Sequence, residues 1–221
     1  MRSVALLLAD SRFPAGGYAH SLGLEQAVSN GLGTVGVAPF ISARLRLVTR
    51  ADAALSVAAR RAAADGDDAL LALLDDEHAA RCPSPVLRDV ARRLGSQLLR
   101  SGATAWPSST IDRYRSDSQT TPRPVALGVV GAAAGLSDLE VAMVALYDDA
   151  ATVACAALKL LGLDPAQTAR WLAELAPQIG AAAGAVADDP RPVSRQPPPA
   201  AVGLELAAAR HARRTERFFA S

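Results

Sequence analysis

The chain has 221 residues, half of them hydrophobic but only 4% aromatic, so its apolar mass is alanine, leucine and valine. That length suits one large domain, or one domain and a tail, with an ample core, and a chain so rich in strong helix formers reads as all-α. Its 23 basic and 22 acidic residues leave no bulk attraction to nucleic acid or an anionic membrane, and two distant cysteines, Cys82 and Cys155, fit no zinc spacing and read as reduced thiols of a cytoplasmic protein.

The start of the chain mimics a signal peptide, but its apolar run over 4–9 is too short and Asp10 ends it. A short helix to Ala9 is expected, then an interruption at Phe13-Pro14-Ala15-Gly16-Gly17, then a second helix from about 18–20 to Asn30-Gly31. A long helix over 38–64 carries Ile41, Leu45, Val48, Leu55 and Ala59 on one face, and Asp65-Gly66-Asp67 closes it. Another covers 68–81. Cys82-Pro83-Ser84-Pro85 breaks it, with Ser84 as cap and Pro85 as first residue of the next helix, whose face is Leu87, Val90, Leu94 and Leu98.

Residues 104–124 are polar, rich in Ser, Thr and Pro, and read as a long loop. Beyond them Gly128, Gly131 and Gly135 let helices approach closely. The longest apolar stretch, 125–136, is short of the ~18 residues of a membrane span. Leu139, Met143, Leu146, Ala150, Val153, Ala157 and Leu160 then form the clearest stripe, and Asp164-Pro165 opens a helix with Leu172, Leu175, Ile179 and Val186. The proline-rich segment 188–203 is expected to be extended or disordered, and a last helix to run over 204–219. The expected architecture is a single all-helical bundle of roughly eight to ten helices over 1–187, a linker over 188–203 and a tail over 204–221. The terminal Phe218-Phe219 would expose apolar surface in an isolated monomer, so it is expected to dock on the body, on a twin subunit or on a partner.

The segment 9–25 concentrates the chain's polar and conformationally special residues. Asp10, Ser11, His20 and Ser21 are residue types of a serine hydrolase, but Ser11 lacks a nucleophile elbow and His20-Ser21 are adjacent, so no triad and no catalytic residue is expected. His20, His78 and His211 are not paired at i, i+4, so no metal site is expected, and no phosphate-binding glycine loop occurs. The economical reading is a folding and recognition element. Asp10 or Ser11 turns the backbone, Phe13-Pro14 pins the loop, Gly16-Gly17 and Gly23 admit special dihedrals and close packing, and Glu25 sits one turn from His20 and Ser21 in a local network. An unrelated all-helical module holding a small ligand in its core is the alternative.

The run from Leu8 to Glu25 (Leu-Ala-Asp-Ser, then Phe13-Pro14-Ala15-Gly16, then His20-Ser21-Leu22-Gly23-Leu24-Glu25) closely resembles the opening signature of the UreF family of urease accessory proteins. Gly95-Ser96-Gln97-Leu98-Leu99, Pro124-Val125-Ala126-Leu127-Gly128, and His211 followed by Arg217-Phe218-Phe219-Ala220-Ser221 are similar to later family stretches in the same order. The chain departs from the family pattern around 158–165 and 204–206. The resemblance implies an all-helical homodimer without catalysis of its own, which joins UreD (also called UreH) and the GTPase UreG in a complex that delivers nickel to apo-urease. Nickel and GTP are then handled by partner proteins, and the chain needs no cofactor, nucleic acid or membrane. It also implies a UreD-facing surface formed or supported by Asp10, Ser11, Phe13, Pro14, Gly16, His20, Ser21 and Glu25 and by His211, Arg213, Arg214, Arg217, Phe218, Phe219 and Ser221 of the tail. Buried aromatics and arginines are frequent hot spots of such surfaces.

Overall fold

The computed structural model describes residues 3–10, 12–117, 121–199, 201–212 and 218–219. Their helices, in chain order, are α1 (Ser3–Ala9), α2 (Leu24–Ser29), α3 (Val37–Arg44), α4 (Arg50–Asp65), α5 (Asp68–Arg81), α6 (Pro85–Ala105), α7 (Ser109–Asp117), α8 (Arg123–Ala133), α9 (Asp138–Leu161), α10 (Pro165–Ala187) and α11 (Val202–Ala212). No strand occurs among the described residues, so the chain is an all-α bundle.

Local chemistry explains most helix ends. Ser137 and Glu140 close a reciprocal capping box at the start of α9, satisfying two backbone N–H groups that the first turn leaves without partners. The side chains of Ser84, Asp67 and Asp164 accept from the first turns of α6, α5 and α10. α9 is the central post. Val141, Leu146 and Val153 are fully buried on it, and α1, α2, α4 and α10 pack around it. Among the described residues it is the one helix long and apolar enough to cross a membrane, yet most of that window lies inside the bundle, and it carries the buried ion-pair residue Asp149.

α4 and α8 pack backbone to backbone. A Cβ on Gly128 would come closer than 3 Å to the Ser56 carbonyl, the Ala59 side chain and the Arg60 nitrogen. Backbone cannot rotate out of the way, so Gly128→Ala is expected to cost about 1–3 kcal/mol by overpacking, read as a lowered denaturation midpoint in urea. The partners of Gly131 are Val141 and Leu136 side chains. Gly135, by contrast, lies past the end of α8 in a left-handed turn rather than in a helix seam.

Several sequence expectations change. The supposed loop over 104–124 contains α7, which escapes periodicity analysis because Ile111 is the one buried residue among its described side chains, with Tyr114 half-buried beside it. The long helix over 38–64 is interrupted by a π-helical turn, Leu45–Thr49, joining α3 to α4. The second helix begins later than expected, at Leu24, after a separate 3₁₀ turn at Gly17–Ala19. On the stripe of α9, Leu139 is exposed and the buried face is wider than one line of residues. The last helix is described over Val202–Ala212; the expected continuation over 213–217 lies outside the described residues, and Phe218 and Phe219 form a bend rather than helix. The proline segment is extended but anchored: Val193 is buried in a 3₁₀ turn, and the Arg81 guanidinium donates to the carbonyls of Val193, Gln196 and Pro197.

Candidate functional site

The opening segment is built as a rigid knob on α6 and α9. The Asp10 carboxylate accepts from the backbone N–H of Arg12 at 2.8 Å and from its guanidinium at 2.6 Å, and these bonds hold the acid down to about 2. Asp10 therefore serves as a turn residue. Phe13 stacks on Trp106 with ring centroids 5.8 Å apart, and Ser101 Oγ donates to the Pro14 carbonyl at 2.7 Å. Gly16 adopts a φ of 82° and lies where a Cβ would strike Gln97, so the turn needs glycine for both dihedral and space. Ser21 Oγ accepts from the Glu25 backbone N–H at 3.4 Å, a weak version of the expected local network.

The Glu25 carboxylate looks elsewhere. It is buried, and its two oxygens accept the backbone N–H groups of Phe218 and Phe219 at 2.9 and 3.1 Å. His211 Nε2 lies 3.3 Å from the Phe219 carbonyl and 3.8 Å from Glu25 Oε2; facing a carbonyl, which only accepts, this nitrogen is the ring's donor. Hydrogen bonds to an ionised group are worth about 1.5–3 kcal/mol each, so the carboxylate is a strong clamp on the end of the chain. The Phe219 ring is 6% exposed, joins the core and lies 5.4 Å below Lys159 Nζ. Phe218 is 85% exposed. The two phenylalanines thus divide their roles: one seats on the body, the other remains on the surface.

Beside this clamp is a cavity of about 190 Å³, lined by the opening segment, α3, α4, α5, α6, α8, α9 and α11. All three histidines of the chain border it. Burial lowers His78 to about 4, with Arg92 and Arg88 adding repulsion. Burial also lowers His20, helped by Arg93 and Arg123. Two ion pairs cross its wall. Arg44 grips Asp149 through two nitrogens, at 3.1 and 2.6 Å, while a third donates to the Leu22 carbonyl at 2.9 Å. Arg123 binds Asp148 at 2.5 Å. Asp52 faces the same space. Burial first, and then the like charge of Asp149, push its carboxyl up to about 7 against the partial offset of Arg44 and Arg123.

The cavity offers little nucleophilic power: burial raises the Cys82 thiol to about 11, which keeps it protonated. Among the described residues no group of three His, Cys, Asp or Glu side chains is placed to hold a metal ion. What the arrangement does physically is fix two distant chain segments against each other.

Of the sequence-predicted residues, Glu25, His211, Phe218 and Phe219 meet directly. His20 shares only the cavity wall with His211. Asp10, Phe13, Pro14 and Gly16 shape the knob, and Ser21 is buried beneath it. Ser11, Arg213, Arg214, Arg217 and Ser221 lie outside the described residues. Sequence reasoning missed Arg44, Asp52, Asp148 and Asp149. The available signal was Asp148-Asp149 standing inside the otherwise apolar stripe of α9, since buried acids need partners.

The UreF family model matches residues 34–176. The chain is 37% identical over 217 residues to the urease accessory protein UreF of Mycobacterium sp. strain JLS, covering 98% of this chain and 97% of that protein. It is 36% identical over 169 residues to UreF of Mycobacterium marinum, covering 76% of each, and 34% identical over 228 residues to UreF of Mycobacterium bovis BCG Pasteur, covering 99% and 98%. With an all-helical bundle and matches running nearly from end to end, the chain belongs to the UreF family, urease accessory proteins that serve the enzyme and are not enzymes themselves.

Proposed function

We propose that the chain works in urease maturation by binding alone, joining UreD (UreH) to the GTPase UreG in the assembly that brings nickel into apo-urease. In this reading nickel is cargo, nickel and GTP are held by the partners, and the chain acts as a cytoplasmic homodimer. The observation that carries it is the meeting of the opening segment and the tail at Glu25, which composes one structural unit from the two regions that the family resemblance links to UreD. Phe218 on this unit, and Val202 and Leu206 one turn apart on α11, leave large apolar side chains in solvent, as a docking surface does. Membership of the family sets aside the alternative of an unrelated ligand-binding module.

Deleting residues 211–221 is expected to abolish co-purification with UreD while leaving the far-UV helical signal within a few per cent, since only two residues of α11 are lost. Undiminished co-purification would remove the tail from the partner surface.

A further inference from the structure

We propose that α11 is a latched lid: by holding the backbone of Phe218 and Phe219, Glu25 keeps α11 closed over the charged cavity, and release of that latch opens the cavity to solvent. Leu204, Glu205, Ala208 and His211 line the cavity from α11, and the spacing 204, 208, 211 is a single helix face. Asp52 and Cys82 line it from the body.

The lid is attached chiefly at its two ends. On the N-terminal side the proline segment is tied down by Arg81. On the C-terminal side the ties are the two amide bonds to Glu25, the His211 contact and the seat of Phe219. Between the ends the packing is thin. Among the described side chains of α11, Ala208 and His211 are buried, while Val202 and Leu206 point into solvent. Leu204 sits half-buried over Gly23, where a Cβ would crowd its Cδ2 to 3.2 Å. A helix with few buried apolar contacts belongs to the class of segments that open locally, well below the free energy of global unfolding. The N-terminal tie makes the natural hinge and the Glu25 tie the natural release.

The chain carries its own reporter. It has two cysteines; Cys155 is exposed and Cys82 is half-buried at the cavity. In a Cys155→Ser background, Cys82 is the sole thiol, and its reaction with Ellman's reagent measures access to the cavity on the isolated chain. Glu25→Gln, and separately deletion of 218–221, are expected to accelerate that reaction about tenfold, as expected for local opening. Gly128→Ala, whose added Cβ would press on α4 rather than on α11, supplies the rate produced by global destabilisation. Hydrogen exchange supplies the second reading: the amides of α11 should exchange faster in Glu25→Gln, with those of α9 unchanged. An acceleration no greater than that of Gly128→Ala, or exchange that rises equally in α9 and α11, overturns the latch. Because no partner is present, that failure is distinct from a failure of UreD binding.

Discussion

Replacing Arg44 by alanine is expected to destabilise the chain by about 3–5 kcal/mol, the range for breaking a buried ion pair on one side. Arg44 and Asp149 are both buried, and the pair is bidentate, at 3.1 and 2.6 Å. Without the guanidinium, the buried Asp149 loses its bidentate partner and stands beside Asp148 with one cation fewer to balance the two acids. The same substitution orphans the Leu22 carbonyl at a place where the backbone is already unusual: Leu22 has a φ of 52° and Gly23 of 91°, and a left-handed leucine persists only where its surroundings hold it. The comparison that isolates the charge is the double variant Arg44→Met with Asp149→Leu. It removes both ions and should recover more than half of the loss, because apolar residues of similar volume often replace buried pairs at little cost. Urea midpoints of the wild type, the single and the double variant are the measurement. A single-variant loss under about 1 kcal/mol would place the pair in the class of solvated surface bridges.

The second large effect is a gain. Asp52→Asn is expected to stabilise the chain at pH 8 by about 4 kcal/mol, the equivalent of moving a carboxyl from its ordinary value to about 7 at 1.36 kcal/mol per unit. The sign follows from proton counting. Because the acid binds its proton more tightly folded than unfolded, the native state holds more protons between pH 4 and 7, and the stability contributed by Asp52 falls as pH rises through that window. Asparagine has no such dependence. The gap between variant and wild type should be small at pH 4, widen to pH 7 and level off above it. The wild-type profile alone will be blunter. His78, lowered to about 4, contributes stability that is complete above pH 6.5 and is lost as pH falls toward 4, opposing Asp52, whereas Asp75, raised to about 6 by burial, acts in the same direction as Asp52. A gap that stays constant from pH 4 to 8 would mean that Asp52 is fully hydrated.

Short-range signals carried much of the fold. Asp67, Ser84-Pro85 and Asp164-Pro165 announce helix starts because a side-chain oxygen or a proline answers a need of the first turn itself. The opening segment announces itself as a break by proline and glycine, and its family by the run from Leu8 to Glu25. α7 does not announce itself, because one buried isoleucine makes no period. The partners of Glu25 were equally illegible. They are backbone amides 193 and 194 residues away, and an amide has no residue type to read. The cavity lay between these cases: Asp148-Asp149 showed that cations must be nearby, but not which of the chain's many arginines would supply them.

The π-helical turn at Leu45–Thr49 acts as a phase shift. In an uninterrupted α-helix, residues eight apart such as Arg44 and Asp52 differ by roughly 80° in direction, and one extra residue in a turn removes most of that angle. The wide turn therefore swings α4 round so that Asp52 looks into the same space as Arg44. Deleting a single residue within 45–49 would let the segment relax to a regular helix in which Arg44 and the acid stand seven positions apart, about 20° apart in direction, so the two would still face the same space. Straightening the turn into a regular helix without losing a residue is what would swing the acid by about 100° away from the arginine that tempers it.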